Sequence, residues 1–192
     1  MDKDLLSAQY ESGLSMQEIA HVHNCSVHRV QYWMTKHNIA RRSIGEAMYA
    51  KRHPQGDPFT VRPVRTLADA KLQGMGIGLY WGEGTKANKH SIRLGNSEPE
   101  LIKTFMNFLV QLYGVKKEDF RFGMQLFTDI EPEEALHYWA NELGVKRSQF
   151  YKITVTISGS LGTYRKKSRY GVVTLYYNNK KLRDLVMALL PR

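Results

Sequence analysis

Hydrophobic and polar positions follow two different periods along the chain. From Asp4 to about residue 37, apolar residues recur three or four positions apart, as on one face of a helix. Beyond residue 90, apolar and polar residues alternate in several stretches, and most of these stretches lead into a helical segment. The pattern therefore predicts a small all-α domain followed by a larger α+β domain.

Three helices are predicted in the N-terminal part. The first covers Asp4 to Glu11. Ser15 and Glu18 have the spacing of a capping box and open the second helix, and Ser26 can cap a third that ends near residue 37. The residues expected to form the core of this unit are Leu5, Leu14, Ile19, Ala20, Val22, Val27, Val30 and Trp33.

Two helices joined by a short turn, in a basic protein, indicate a helix-turn-helix. The segment from Ser15 to Ile39 resembles the resolvase-type and homeodomain-like modules of that class. The resemblance implies that residues 1–43 form a DNA-binding domain whose third helix enters the major groove. The residues that would then face DNA are His28, Arg29, Gln31, Tyr32 and Lys36. The alternative is a solvent-exposed face on a structural three-helix unit.

Residues 44–65 are predicted to be a basic, turn-rich linker that contains a short helix from Ile44 to Tyr49. Arg41 and Arg42 lie immediately before it. They are expected to follow phosphates or to enter a minor groove. A solvated arm without DNA contacts is the equal alternative.

Residues 66–84 are predicted to form a helix with an unusual glycine content. Gly74, Gly78 and Gly82 repeat every four residues and therefore fall on one side of the helix. Each glycine costs about 1 kcal/mol relative to alanine in a helix interior, but a side without side chains lets a second helix approach closely. Glu83 follows directly, and Gly84 is expected to end the helix in a left-handed cap. The alternative is a glycine-rich loop or buried turn with an incidental acid.

Four strands are predicted in the larger domain, at residues 91–96, 120–128, 153–157 and 172–179. Helices are expected after three of them, with Asp129 as the cap of the second. The first two of these helices are followed by the same Gly-Val-Lys-basic pattern, at Gly114–Lys117 and Gly144–Arg147, which indicates a repeated unit.

The alternation gives this sheet one apolar and one polar face. The apolar face is predicted to carry Ile92, Leu94, Phe120, Phe122, Met124, Leu126, Ile153, Val155, Ile157, Val173 and Leu175. The polar face is predicted to carry Arg93, Arg121, Gln125, Lys152, Thr154, Thr156, Thr174 and Tyr176. This polar face has basic residues and no acid, and its amide and hydroxyl groups can hydrogen-bond to base edges.

A basic segment precedes the last strand. Arg165, Lys166, Lys167 and Arg169 place four cations within five residues, between two tyrosines. This density of charge favours contact with phosphates over an ordinary surface loop.

Composition agrees with a polyanionic partner. The net charge is +10 and the pI is about 9.7, which favours nucleic acid. The single Cys25 excludes an intrachain disulfide and a cysteine-based zinc site. No apolar run approaches the roughly 18 residues of a membrane-spanning helix, and the N-terminus lacks a signal-peptide pattern. We therefore expect no membrane partner and a cytoplasmic protein, nucleoid-associated if prokaryotic.

The glycine-rich segment resembles the LAGLIDADG motif of homing endonucleases. The third glycine, fourth leucine, eighth acid and final glycine of that motif match Gly78, Leu79, Glu83 and Gly84. The motif's leading Leu-Ala is absent, since residues 76 and 77 are glycine and isoleucine. The resemblance covers residues 66–192 and implies an α+β fold with a four-stranded antiparallel, saddle-shaped sheet and helices on one face.

A single copy of the motif implies a homodimer in which Gly74, Gly78 and Gly82 lie at the two-fold axis. The resemblance also implies that Glu83 and its dimer mate, helped by the Gly82 carbonyl, hold Mg²⁺ near the scissile phosphates of double-stranded DNA. Lys180 and Lys181 are candidates to polarise the attacking water or the phosphate, and ordinary surface charge is the alternative for both.

The implied function is sequence-specific, metal-dependent cleavage of double-stranded DNA. One feature weakens that expectation, because residues 85–90 are too few for the family's full first strand. A competing function is a transcriptional regulator that binds DNA without cutting it. Relatives of that kind commonly lose the acid, so the retained Glu83 favours the nuclease. A third possibility, an RNA-binding splicing helper, is less expected beside a helix-turn-helix.

Overall fold

The structure is a computed structural model that describes residues 1–157 and 169–191. The chain forms two compact units, Met1–Pro58 and Phe59–Arg192. The first is all-α, and the second combines helices with a four-stranded sheet, so the mixed α+β class is confirmed. The boundary lies inside the predicted linker, because Phe59 is already buried in the core of the second unit.

The first unit contains α1 (Lys3–Glu11), α2 (Met16–Val22), α3 (Val27–Lys36) and α4 (Ile44–Arg52). The predicted capping box opens α2: the Ser15 Oγ accepts from the Glu18 N–H at 3.2 Å, and the Glu18 carboxylate accepts from the Ser15 N–H at 2.7 Å. Ser26 caps α3 by accepting from the Arg29 N–H at 3.3 Å. These bonds satisfy amide groups that have no partner inside the helix.

The core of this unit matches the prediction only in part, at Ile19, Ala20 and Val30. It consists of Leu6, Tyr10, Ile19, Ala20, Val30 and Met34. Leu5 and Val22 were expected inside, but 48% and 60% of their surfaces are exposed. Consecutive helical residues point about 100° apart, so burial of Leu6 directs its neighbour Leu5 towards solvent.

The predicted linker contains α4, which continues to Arg52 rather than ending at Tyr49. Ser43 and Glu46 form a second capping box at its start. None of the residues of α4 is buried. A nine-residue helix without a buried face is marginal in water, so its caps are a large part of what holds it.

The second unit contains α5 (Leu67–Glu83), β1 (Ile92–Asn96), α6 (Pro99–Tyr113), β2 (Arg121–Phe127), α7 (Pro132–Leu143), β3 (Thr154–Thr156), β4 (Val172–Tyr177) and α8 (Lys180–Ala188). The strand order in the sheet is β1-β4-β2-β3. Strand β4 is antiparallel to both β1 and β2, whereas β2 and β3 are parallel. The prediction of a wholly antiparallel sheet is therefore wrong for one of the three strand pairs.

The parallel pair follows from the repeated unit. Helices α6 and α7 are each followed by a left-handed glycine, Gly114 (φ 60°) and Gly144 (φ 59°), then by a 3₁₀ turn and a strand. Strand β2 is thus joined to β3 through α7, and a helical crossover returns the next strand in the same direction. Asp129 does not cap α7, because the cap position is Glu131 and Pro132 opens the helix.

The apolar side of the sheet is buried along three of the four strands. The buried residues that were predicted for it are Ile92, Leu94, Phe120, Phe122, Met124, Leu126, Val173 and Leu175. On β3 the prediction is wrong, since Val155 is 50% exposed and Ile157, just beyond the strand, is 71% exposed. Because β3 lies at the edge of the sheet, alternation along it does not produce burial.

Helix α5 meets α6 at Gly76, a glycine outside the repeat of every fourth residue. A Cβ at residue 76 would lie 2.1 Å from Cγ of Phe108, so only glycine fits. The chain before α5 also docks on α6: the Thr60 and Arg62 N–H groups donate to the Tyr113 and Leu112 carbonyls at 2.9 and 2.8 Å. These bonds satisfy carbonyls at the end of α6.

Candidate nucleic-acid interface

The polar face of the sheet carries a row of three side chains. In the register, Tyr176 on β4 is paired with Arg93 on β1 and with Arg121 on β2. Cross-strand partners share a face, so two arginines flank one tyrosine. Among the described strand residues, this face carries no acid. The prediction that Arg93, Arg121 and Tyr176 lie together is confirmed.

Tyr176 was not predicted as a site residue, yet it occupies the centre of this row. The Cζ of Arg93 lies 5.1 Å from the centre of its ring, and the Tyr151 ring meets it edge-on at 5.5 Å between centroids. In the next row of the same face, Thr174 on β4 is paired with Gly95 on β1 and with Gly123 on β2. Glycine within a strand often marks a close approach, a signal that was present in the sequence.

The two arginines of the row differ in their hydrogen bonds. Arg93 donates from Nε to the Ser91 Oγ at 2.9 Å. Arg121 donates from Nη1 to the Glu118 and Phe120 carbonyls at 2.7 and 2.8 Å. Arg121 is therefore tied to its own turn, whereas the terminal nitrogens of Arg93 make no hydrogen bond with described residues.

The remaining polar residues of this face lie towards its β2–β3 edge. Gln125 is paired with Thr154 in the register and donates to the Thr156 Oγ1 at 3.3 Å. Gln125, Lys152 and Thr154 are all exposed. Their side chains can therefore contact a ligand on the sheet without rearrangement of the core.

The basic segment is only partly within the described residues. Arg165, Lys166 and Lys167 lie outside them. Arg169 is exposed, 3.7 Å from the Glu134 carboxylate. The adjoining Tyr170 packs on α7: its ring stacks on Tyr138 at 3.8 Å, and its carbonyl accepts from the Trp139 Nε1 at 2.8 Å.

The acid of the motif lies at the C-terminal end of α5. Glu83 is exposed and makes no hydrogen bond or ion pair with a described residue. The predicted left-handed cap at Gly84 is wrong, because Gly84 is extended (φ −72°, ψ 142°) and forms a bridge with Leu94. A Cβ there would lie 2.4 Å from the Tyr80 ring, so close packing rather than a positive φ requires glycine.

A half-buried arginine, Arg183, supports this end of α5. Arg183 donates from Nη2 to the Lys86 carbonyl at 2.7 Å, and the Lys86 Nζ donates to the Trp81 carbonyl in the last turn of the helix. Burial raises the pKa of the Tyr80 hydroxyl, while the nearby Arg183 acts in the opposite direction. Neither Lys86 nor Arg183 was predicted, since their contacts join segments distant in sequence.

The oxygen ligands at this helix end are of the kind that Mg²⁺ prefers. Glu83 offers a carboxylate, and among the described residues nothing donates to the Gly82 carbonyl oxygen. The described residues contain no cluster of three or more histidine, cysteine or acidic side chains. Mg²⁺ is usually bound by one or two carboxylates with waters and substrate phosphates, so the Glu83 carboxylate and the Gly82 carbonyl fit as protein ligands.

Lys180 and Lys181 open α8 and are both exposed. The Lys180 Nζ lies 2.5 Å from the Asp184 Oδ2, one helical turn away. The hydrogen bond from Lys180 is the main cause that lowers the pKa of Asp184, with a smaller one from Arg183. Lys180 would have to leave this exposed ion pair to reach a phosphate.

The glycine side of α5 is open. A Cβ built on Gly74, Gly78 or Gly82 would meet no described atom within 4 Å. Trp81, on the same side, is 58% exposed, and Met75 is exposed as well. Together with α6 this side forms a groove of about 410 Å³.

The outer side of α3 carries the predicted residues of the helix-turn-helix. His28, Arg29, Tyr32 and Lys36 are exposed, and Gln31 is half-buried. The Lys36 Nζ lies 4.8 Å from the centre of the Trp33 ring. The helix therefore presents one face of cations, an amide and an aromatic ring.

The two arginines after α3 have different surroundings. Arg41 is exposed. The Arg42 Nη2 donates to the Tyr10 and Leu14 carbonyls at 2.8 and 2.6 Å, and the guanidinium lies 4.0 Å from the centre of the Tyr10 ring. Arg42 thus closes the C-terminal end of α1, a structural role that its sequence position does not reveal.

Among the described residues, no helix has both the length and the apolar character needed to cross a bilayer. No protein-family model, no curated protein and no solved structure matches the chain. The functional interpretation therefore rests on the residues and their geometry.

Proposed function

We propose that this protein binds double-stranded DNA in a sequence-specific manner, through the polar face of its sheet and the outer side of α3. The observation that carries this proposal is the row of Arg93, Tyr176 and Arg121 on a face whose described strand residues include no acid. Cations contact phosphates, and amide, hydroxyl and guanidinium groups recognise base edges. The net charge of +10 adds long-range attraction to the polyanion.

The acting form in this proposal is a homodimer. The occupant of the open side of α5 is the same helix of a second copy, related by a two-fold axis. Glycines at Gly74, Gly78 and Gly82 allow two helix backbones to approach closely, and Trp81 and Met75 supply apolar surface around them. Such an arrangement also brings two Glu83 side chains to one place.

We further propose that the dimer cleaves DNA when Mg²⁺ is bound by Glu83 of both copies and the Gly82 carbonyls. Bound Mg²⁺ supplies charge neutralisation at the scissile phosphate and orientation of a water. The C-terminal end of α5 favours a cation, because the helix dipole and the Glu83 carboxylate are both negative there. Lys86 and Arg183 hold this helix end in place, and Lys180, once released from its ion pair with Asp184, and Lys181 would contact the phosphate.

The alternative proposal is a DNA-binding regulator that does not cut. A specific observation favours it: the segment after α5 pairs with β1 through the single bridge between Gly84 and Leu94. This short pairing leaves less surface for contacts with DNA beside the scissile phosphates. Binding is common to both proposals, and cleavage distinguishes them.

The binding proposal is tested by selecting duplexes from a randomised library with the purified full chain, followed by titration in increasing salt. We expect enrichment of one pseudo-palindromic sequence, and an affinity that falls steeply with salt because several phosphate contacts release counterions. Recovery of sequences no different from the input library would contradict the proposal. The Arg93→Ala/Arg121→Ala variant should lose affinity, and circular dichroism checks that it is folded.

A further inference from the structure

Arg93 is held by its surroundings in one arrangement. Its Nε donates to the Ser91 Oγ at 2.9 Å, and its guanidinium lies against the Tyr176 ring with Cζ 5.1 Å from the ring centre. The side chain is half-buried on β1. A guanidinium fixed at Nε and along one face has little freedom left to lose when a ligand binds.

The hydrogen-bond acceptor for Arg93 is itself fixed. Ser91 is 2% exposed, and its Oγ donates to the Asn88 Oδ1 at 3.0 Å. The same Asn88 oxygen accepts from the backbone N–H groups of His90 and Ser91, each at 2.9 Å. Asn88 therefore orients Ser91, and Ser91 orients Arg93.

This arrangement leaves the outer fork of Arg93, which consists of the terminal nitrogens Nη1 and Nη2, available to bind a ligand. No described residue accepts from its two terminal nitrogens, Nη1 and Nη2. Arg121 lies on the other side of Tyr176. Its guanidinium is already engaged, because Nη1 donates to two carbonyls of its own turn. The row therefore contains one oriented, open fork and one engaged arginine.

We infer that Arg93 is a specificity-determining residue that recognises a guanine through its N7 and O6 atoms. The inference rests on the proposed binding of double-stranded DNA by the sheet. The two terminal nitrogens of a guanidinium match the two acceptors on the major-groove edge of guanine. Asn88, Ser91 and Tyr176 act as positioning residues for this contact.

A phosphate also offers two acceptors to such a fork. Three observations favour the base: the fork stands in a row across the strands, it is fixed at Nε, and it lies beside an aromatic ring. A contact with a phosphate requires only a nearby positive charge, and a flexible side chain can make it. Recognition of one base edge needs a fixed orientation, which is what Asn88 and Ser91 provide.

The test compares the sequences selected from a randomised duplex library by the full-length wild type, Arg93→Lys and Arg121→Lys. Lysine keeps the charge and removes the fork. We expect the wild type to enrich guanine at one position in each half-site. Arg93→Lys should lose this preference by about 10-fold or more, as for one bidentate contact, and Arg121→Lys should keep it.

A second arm separates the base from the phosphate. The guanine at the selected position is replaced by 7-deazaguanine, which lacks the N7 acceptor but leaves the phosphates unchanged. Wild-type binding should weaken about 3-fold to 10-fold, within the range for part of a bidentate contact, and binding by Arg93→Lys should not change. Tyr176→Phe, which keeps the ring, should match the wild type. Circular dichroism of each variant checks that it is folded.

Three results would overturn the inference. Retention of the guanine preference by Arg93→Lys would show that an oriented guanidinium fork is not what reads this base. An equal loss of affinity for all sequences, with no effect of 7-deazaguanine, would assign Arg93 to a phosphate. In both cases sequence-specific binding by the wild type stands. Failure of the wild type to select any sequence would refute the proposed function and this inference with it.

Discussion

The ring of Tyr176 lies across Gly123 on the polar face of the sheet. A Cβ on residue 123 would come within 3.0 Å of Cε2 and 3.2 Å of the hydroxyl oxygen of this tyrosine. A real Cβ does not tolerate the first distance without a shift of the ring. Gly123 therefore sets how closely Tyr176, and with it Arg93, lies to the sheet.

Substitution of Gly123 by alanine should push the Tyr176 ring outwards and loosen its contact with Arg93. We expect an affinity loss for the selected duplex of about 1 kcal/mol, comparable to mild overpacking. The measurement is a double-mutant cycle by DNA titration with Tyr176→Ala. In the Tyr176→Ala background, Gly123→Ala should have no further effect on affinity. Equal losses in both backgrounds would mean that the glycine acts through something other than the ring.

Gly78→Leu should convert the proposed dimer into monomers. A Cβ at residue 78 would meet no described atom within 4 Å, so the start of a leucine side chain fits the folded monomer, and leucine favours a helix by roughly 1 kcal/mol over glycine. Light scattering after size-exclusion chromatography gives the molar mass. Gly76→Leu is the contrasting variant, because it collides with Phe108 and should unfold the protein. A Gly78→Leu protein that stays dimeric would place the interface elsewhere.

Arg42→Ala should destabilise the first unit, although Arg42 is predicted from sequence to contact DNA. Removal of the guanidinium leaves the Leu14 carbonyl without its donor and takes one of two donors from the Tyr10 carbonyl, at a cost of about 2 kcal/mol. Hydrogen-exchange mass spectrometry of the full chain should show faster exchange in α1. Arg41→Ala is the matched control, since Arg41 is exposed and should change exchange little. Identical exchange in the two variants would refute the structural role of Arg42.

Acid should destabilise the N-terminal end of α5. The Thr66 hydroxyl and the backbone N–H groups of Arg65 and Thr66 lower the pKa of Asp69 below its ordinary value of 3.8. Because the folded-state pKa is the lower one, the contribution to stability is complete above pH 3.8 and is lost as the pH falls through the folded value.

Asp69→Asn removes this titration. Between pH 5 and pH 2, the melting temperature of the wild type should therefore fall more steeply than that of the variant. Parallel curves for the two proteins would mean that Asp69 does not couple folding to pH at this cap.

Local chemistry was sufficient to predict the starts of α2 and α3, although not the cap of α7. Ser15 with Glu18 forms the expected capping box, and Thr66 occupies the cap position of α5. The alternation of apolar and polar residues correctly predicted which residues of β1, β2 and β4 face the core, because one side of the sheet is buried along these strands and the other is not.

Properties that depend on distant segments were not predictable from single positions. Val155 and Ile157 alternate like buried residues, but their exposure follows from the place of β3 at the sheet edge. The role of Arg42 depends on the end of α1, about 30 residues earlier in the chain. The support of α5 by Arg183 through Lys86 joins the two ends of the second unit.

The cleavage proposal depends most directly on Glu83. The decisive measurement incubates the selected duplex with the full-length protein in Mg²⁺ and resolves the DNA on a denaturing gel. We predict that the wild type cuts both strands at one site, and that Glu83→Gln binds this duplex with unchanged affinity but leaves it intact. Glu131→Gln, the same change at an exposed acid at the start of α7, should cut like the wild type. Tight binding by the wild type without cutting in Mg²⁺ or Mn²⁺ would contradict the nuclease and identify a non-cleaving regulator.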